Sequence, residues 1–332
     1  MSYLATEVIE AKQITITNHL RELGIDNFRK EIIKGLTAQQ KHISSKFFYD
    51  KKGSKLFEDI TQLPEYYPTR TEKSILKRIA PELMSNIKDI DIVELGSGDC
   101  SKISILLNEI KTENMESINY IPVDVSQSAI HESAQELVEL FPDLSVNGLV
   151  VDFINQIDLI PENNRRMFCF LGSTIGNFNE NIVNDFLTNL SSNMNSGDTF
   201  LLGIDLVKST QTLNDAYNDS QNVTAEFNKN ILTVINDIIE SDFNQDDFEH
   251  KAFFNEEKLR IEMHLVAKED ITINTPFSSS NILIKKGENI HTENSYKYST
   301  EQIRKFEEIT DLKINNFYTD SNNWFALVLF QK

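Results

Sequence analysis

The sequence predicts a doubly wound α/β sheet that carries a smaller inserted α+β unit. Three observations lead there. From residue 90 short apolar strands alternate with helices, the rhythm of a parallel sheet covered on both faces. After Leu206 that rhythm breaks, and residues 207–298 read as helices followed by longer alternating strands. It resumes at the end, where a helix and two strands close the chain.

The chain of 332 residues has room for one large domain, or for a main domain bearing a smaller one. Its first 80 residues read mainly as helices, with apolar positions at helical spacing in NHLRELGIDNFRKEIIKGL and GSKLFEDITQL. PEYYPTRTE follows, and Pro64 and Pro68 argue that Tyr66 and Tyr67 sit in a turn. The alternating part opens with DIVEL as a strand, SKISILLNEI as a helix, NYIPVDV as a strand and SAIHESAQELVELF as a helix. It continues with strands VNGLVVDF and RMFCFLG, helix ENIVNDFLTNLSSNM and strand TFLLGIDL. In the insert, TAEFNKNILTVINDIIE is periodic as a helix. KLRIEMHLVAKEDITI and NILIKKGENIHTENSYKY alternate as strands, with Gly287 at a turn. STEQIRKFEEI, LKINNFYTD and WFALVLFQ supply a final helix and β-hairpin. Five parallel strands completed by such a hairpin are the layout of a Rossmann-like class I methyltransferase sheet. The expected division is a helical segment at 1–80, a core at 81–206, an insert at 207–298 and a closing helix and hairpin at 299–332.

Charge narrows the partners. The net charge is −19, with +4 over residues 1–80 and −23 over the rest. So acidic a chain is repelled by nucleic acid and by anionic membrane surfaces, while small basic ligands remain compatible. No apolar run approaches the ~18 residues that cross a bilayer. The opening MSYLATEVIEAKQITITNHL lacks the apolar core of a secretion signal. Cys100 and Cys169 fit neither a disulfide framework nor a metal knuckle, so no metal and a reducing, cytoplasmic setting are expected. A monomer is expected.

The chemistry starts at VELGSGDCSK, residues 93–102, where a strand meets a helix. Gly96 and Gly98 permit a tight turn and a close approach of ligand to backbone. A dinucleotide site wants a third glycine where Ser101 stands. The loop for S-adenosylmethionine is commonly E/D-x-G-x-G, and Glu94, Gly96 and Gly98 match it. The next strand ends at Asp124, placed for ribose hydroxyls, and the one after at Asp152-Phe153, an acceptor and a ring for adenine. Acidic residues recurring at successive strand ends favour S-adenosylmethionine over an NAD-dependent oxidoreductase. Asn177, in LGSTIGNF, falls just past a strand end where the transferred group should sit. Tyr217 lies in the insert. In IHTENSYKYS, Glu293 and Ser295 are two apart and face the same way on a strand, marking a wet edge or a small polar ligand.

KFFYDKKGSKLFEDITQLPEYYPTRTE, VELGSGDCSK, FLGSTIGNF, LLGIDLVK, AYND, NVTAEFNKNIL, FEHKAFF, RIEMHL and HTENSYKY together resemble the histidine-specific S-adenosylmethionine-dependent methyltransferases of the ergothioneine pathway. The resemblance runs from about residue 25 to the end and implies methylation of the histidine α-amine, giving trimethylhistidine (hercynine). It places cofactor contacts on Tyr49, Gly96, Lys102, Asp124, Asp152 and Phe153, to which the loop pattern adds Gly98. It assigns the α-amine and carboxylate to Tyr66, Asn177 and Tyr217, the imidazole to Glu293 and Ser295, and the side-chain pocket to Met263. Tyr49 and Asn177 are the candidates beside the reacting groups. Relatives act on tryptophan-type amines, so another amino acid's α-amine is the alternative substrate. Asn294, usually apolar in the family, is expected to face away from Glu293.

Overall fold

The computed structural model describes residues 7–11, 13–20 and 25–332. Its central sheet has nine strands, and their chain order explains the layout. β1 (Glu7–Ala11) and β2 (Ile14–Asn18) form an antiparallel pair, followed by α1 (Ile25–Leu36), α2 (Lys51–Thr61) and α3 (Tyr67–Met84). The doubly wound run is β3 (Ile90–Leu95), α4 (Ile103–Leu107), α5 (Thr112–Met115), β4 (Ile118–Asp124), α6 (Gln127–Leu140), β5 (Ser145–Val150), β6 (Arg165–Phe170), α7 (Glu180–Ser192) and β7 (Thr199–Asp205). Then come α8 (Thr210–Tyr217), α9 (Val223–Ile239), β8 (Phe248–Asn255), β9 (Arg260–Ala267), β10 (Ile271–Ile273), β11 (Ile282–Ile284) and β12 (Asn289–Tyr296). The chain closes with α10 (Thr300–Arg304), α11 (Phe306–Ile309), β13 (Lys313–Thr319) and β14 (Phe325–Gln331).

The large sheet runs β1-β2-β5-β4-β3-β6-β7-β14-β13. β5, β4, β3, β6 and β7 are parallel, and β14 inserts antiparallel between β7 and β13. This is the Rossmann-like methyltransferase sheet with its terminal hairpin. Ile92 and Val93 on β3 point to opposite sides and are fully buried, as expected of a strand covered on both faces. One side packs on α3, α4 and α6 through Ile75, Ile103 and Ile130; the other packs on α7, α10 and α11 through Phe186, Ile303 and Phe306.

The first 80 residues depart from the helical reading. ITITN is a strand, and β2 pairs parallel with β5, Ile14 opposite Val146. Ile14 and Ile16 turn into the core while Thr15 and Thr17 alternate with them, a two-residue period that the helical windows around it obscured. The helix expected over NHLRELGIDNFRKEIIKGL is seen as α1; residues 21–24 of that stretch, and residues 1–6 and 12 of the opening segment read for a secretion signal, lie outside the described residues. The proline-bounded turn is also shorter than expected. Tyr67 already begins α3, with Pro68 in its first turn, where a missing N–H costs nothing. SKISILLNEI keeps only the short helix α4.

A second sheet, β12-β9-β8, carries α8 and α9 over a separate core. That core also takes in Ile32 and Leu36 of α1, Ile60 of α2 and Phe48 between them. Phe48 stacks on Phe227 of α9 at 4.6 Å. Asp50, which caps α2 through the Gly53 amide, also accepts from Asn230 of α9. Early helices and late strands therefore build one wall together.

Candidate active site

At the carboxyl end of β3, Gly96 and Gly98 take φ of +66° and +46°, in the left-handed region that glycine enters without cost. The amides of Gly96 and Ser97 both reach back to the Val123 carbonyl, folding the loop against the end of β4. Above Gly96 the nearest atoms a Cβ would meet are ring carbons of Phe153 and Phe170, each at 3.9 Å, so the turn leaves room for a ligand. Glu94, under the loop, is buried, accepts from the Tyr120 hydroxyl and is pushed up to about 8 by burial. Asp124 ends β4 and accepts from the Ser126 amide at 2.9 Å; burial raises its pKa. Asp152 holds its own turn through the Ile154 amide and the Asn155 side chain. Phe153 is packed between Phe170 and Phe186.

Lys102 brings in a residue that the sequence reading missed. Its Nζ lies 3.2 Å from Glu72 Oε2, and Glu72 Oε1 accepts from the Gly172 amide at 2.8 Å. Gly203 on β7 makes the space, because a Cβ there would lie 2.2 Å from Glu72 Oε1. The signal was present: Glu72 shares a helical face with the buried Ile75, Leu76 and Ile79.

The opposite wall is β12. A bulge at Thr292 shifts the register between His291 and Glu293, so Glu293 pairs with Met263 of β9. Such bulges re-aim side chains beside active sites. Here one turns Glu293 and Ser295, with Lys297 just beyond the strand, to one buried side. Asn294 faces the other way and meets the His291 ring, as its position predicted. Met263 is fully buried behind Glu293. Glu293 is only 9% exposed, and no hydrogen bond from the described residues reaches its carboxylate. Burial pushes its pKa up to about 7, against the pull of Lys297.

Ser295 Oγ accepts from the Tyr217 hydroxyl at 2.8 Å and from Lys297 Nζ at 2.7 Å. Lys297 also reaches Tyr217 Oη at 3.2 Å and Asp205 Oδ2 at 2.8 Å. Asp205, the last residue of β7, accepts from Tyr67 at 2.7 Å and from Lys208 at 2.6 Å. Burial pushes the Asp205 carboxyl up, but Lys297 and Lys208 outweigh it and hold it below its usual range. Sequence reading singled out none of Lys297, Asp205 and Lys208, although Lys297 continues the two-residue period of Glu293 and Ser295.

The remaining expected residues are Tyr66, Tyr49 and Asn177. Tyr66 lies 6.2 Å from Tyr217, ring to ring, and Phe57 bridges Tyr49 and Tyr66. The Tyr49 ring is 48% exposed within the cleft. It packs edge-on against Phe57 and Phe227, and crowding by the protein, then the Glu293 carboxylate, Tyr217 and Asp124, raise the pKa of its phenol. Asn177 ends a short turn, Thr174–Asn177, that presses on β12: a Cβ on Gly176 would lie 2.9 Å from the Tyr296 carbonyl oxygen. Ser173, before that turn, accepts from the Asp205 amide.

Comparison with known proteins gives the family. A family model described as "Histidine-specific methyltransferase, SAM-dependent" matches residues 28–332. The chain is 36% identical over 321 residues to a histidine N-alpha-methyltransferase of Mycobacterium tuberculosis, covering 96% of this chain and all of that one. It is 35% identical over 317 residues to the protein of that name from Mycolicibacterium smegmatis, covering 95% of this chain and 98% of that one. Ergothioneine biosynthesis protein 1 of Schizosaccharomyces pombe is 29% identical over 293 residues, covering 83% of this chain and 37% of that longer protein.

Proposed function

Because this chain belongs to the histidine-specific S-adenosylmethionine-dependent methyltransferase family, we propose that it methylates the α-amine of L-histidine three times, giving trimethylhistidine for ergothioneine synthesis. The observation that carries the substrate is Glu293, a buried carboxylate with no hydrogen-bond partner among the described residues, set two positions from a buried hydroxyl. An imidazole N–H would complete it. A site built for two polar ring atoms rejects side chains that leave its groups unpaired.

The glycine loop fits the cofactor, which when bound supplies an electrophilic sulfonium methyl. Gly96 and Gly98 would admit its backbone-facing edge, Lys102 its carboxylate, Asp124 the ribose hydroxyls, and Asp152 with Phe153 the adenine. Tyr49 would meet it from the substrate side.

Displacement at the methyl carbon needs a neutral amine. The α-amine loses its proton near ~8 in a peptide and at a higher pH in a free amino acid, so a neutral fraction is still within reach of physiological pH. Burial raises the phenols of Tyr66 and Tyr217 above their ordinary value, so both stay neutral and act as hydrogen-bonding groups rather than bases. Tyr66, Tyr217 and Asn177 would orient the amine and carboxylate, and Met263 would back the ring pocket. Alignment at close approach lowers a barrier by several kcal/mol, ~7–11 in the best cases. Each methyl removes one N–H and adds bulk, so no single hydrogen bond to the amine serves all three transfers.

The proposal includes a monomer in the cytoplasm with no nucleic-acid or membrane partner. Its supports are the strong net negative charge and two buried, unpaired cysteines. Among the described residues no helix is long and apolar enough to cross a membrane.

Purified protein given S-adenosylmethionine and a mixture of amino acids should convert histidine to products heavier by one, two and three methyl groups, read by mass spectrometry. Consumption of tryptophan or another amine with histidine untouched would overturn the substrate.

A further inference from the structure

We infer that this site accepts the imidazole only as the neutral ring, in one tautomer, and that Lys297 enforces the choice through Ser295. The inference rests on the histidine reading above and concerns the form in which the ring is bound.

A hydroxyl has one proton to donate and two lone pairs to accept with. Both lone pairs of Ser295 are taken, one by Lys297 Nζ at 2.7 Å and one by the Tyr217 hydroxyl at 2.8 Å. The Ser295 proton has no acceptor among the described residues, so donation is the one hydrogen bond the side chain can add. Lys297 cannot turn away. It is 2% exposed, and its three protons are directed to Ser295, Tyr217 and Asp205. Asp205 is itself fixed by Tyr67 and Lys208. Lys297 therefore acts as a positioning residue: it touches no substrate atom, yet it decides what Ser295 offers.

Glu293 offers the complement. Ionised, it only accepts. The two groups together present one acceptor and one donor, which match a neutral imidazole with its N–H toward Glu293 and its bare nitrogen toward Ser295. An imidazolium would set a second N–H against the Ser295 O–H, leaving buried donors unpaired. A protonated Glu293 keeps its carbonyl oxygen as an acceptor but loses the charge that strengthens the bond, so it holds the N–H less tightly.

The charged groups around this pair come from several elements: Lys297 beyond β12, and Asp205 at the end of β7 with Lys208 behind it. The phenols of Tyr49, Tyr66 and Tyr217 face it from the α2, α3 and α8 sides, with Asp124 beyond Tyr49. Burial works against the Lys297 ammonium, but Asp205 and then Tyr217 outweigh it and keep it charged. Free histidine charges its ring near ~6.5, so affinity should fall as pH drops below that value.

The test is nitrogen NMR of ring-15N histidine bound to the full chain with S-adenosylhomocysteine, near pH ~6, where most free rings are protonated. The expected spectrum shows one protonated and one bare ring nitrogen, and histidine Kd rises about tenfold or more between pH ~7 and ~5.5. A bound ring with both nitrogens protonated would overturn the inference and leave the histidine reading standing. Failure to bind histidine at all would overturn both. In Lys297→Met, Asp205 keeps Lys208 and Tyr67, and a thermal melt and S-adenosylhomocysteine binding check the fold. One acceptor site of Ser295 is then free, and the bound ring should appear doubly protonated near pH ~6. A ring still neutral in that variant would overturn the role of Lys297, and the wild-type spectrum decides the ring's state even if the variant does not fold.

Discussion

The loop after β3 and the strand β12 face the same chemistry with different materials. At the loop the backbone shapes the candidate site: two left-handed glycines, amides folded onto the Val123 carbonyl, and only van der Waals contacts where a Cβ would stand. At β12 side chains make it, through a lone carboxylate, a hydroxyl and an ammonium held in a buried ion pair with Asp205. A backbone site recognises what every user of the cofactor shares and fails when a glycine is lost. A side-chain site can be retuned by substitution, but it stands on charges whose burial is costly unless each is matched.

Removing Asp205 should test that cost most severely. Asp205→Ala leaves the ammoniums of Lys208 and Lys297 buried without their carboxylate, and stability in urea should fall by about 3–5 kcal/mol. A change near zero would show that the substrate wall does not depend on this pair.

Gly96→Val attacks the other wall. A left-handed backbone costs a non-glycine residue ~1–2 kcal/mol, and the new side chain would project into the ligand's space. Titration calorimetry with S-adenosylhomocysteine should show at least about a tenfold loss of affinity. Unchanged binding would mean that the cofactor lies elsewhere.

Glu293→Ala should lower kcat/KM for histidine by at least roughly tenfold, the ~1.4 kcal/mol of one charged hydrogen bond, while S-adenosylhomocysteine binds as before. Equal losses on both ligands would erase the distinction between the walls. The same carboxylate sets a pH dependence: its pKa is raised to about 7, and histidine needs its ionised form, so kcat/KM should fall as pH drops through 7. In Glu293→Gln that part of the acid limb should vanish. The smallest effect is expected at Glu72→Gln, which keeps an acceptor for the Gly172 amide but takes the charge from beside Lys102. Cofactor affinity should shift a few-fold, about 0.5–1 kcal/mol.

The doubly wound run was legible because β3 to β7 are short apolar segments separated by helices, a pattern carried within a few residues of each position. β2 was not, since ITITN is brief and its partner β5 lies some 130 residues away. Glu293, Ser295 and Asn177 were named from motif and position, yet what Ser295 can offer a ligand depends on Lys297, Tyr217 and Asp205, which no spacing rule connects. Glu72 and Lys102 meet across 30 residues of chain, and Gly203, on a third element, leaves the space that the Glu72 carboxylate fills.

Periodicity, glycine placement and the order of acidic strand ends are local properties, and by themselves they determined the parallel core of the sheet, the glycine turn after β3 and the shared face of Glu293 and Ser295. Tertiary structure alone decided which early helices share a core with the late strands. It also decided how a bulge at Thr292 aims Glu293 and which partners occupy Ser295. Hydrogen-bond capacity is exhausted by neighbours in space, and those neighbours are set by packing between segments far apart in the chain.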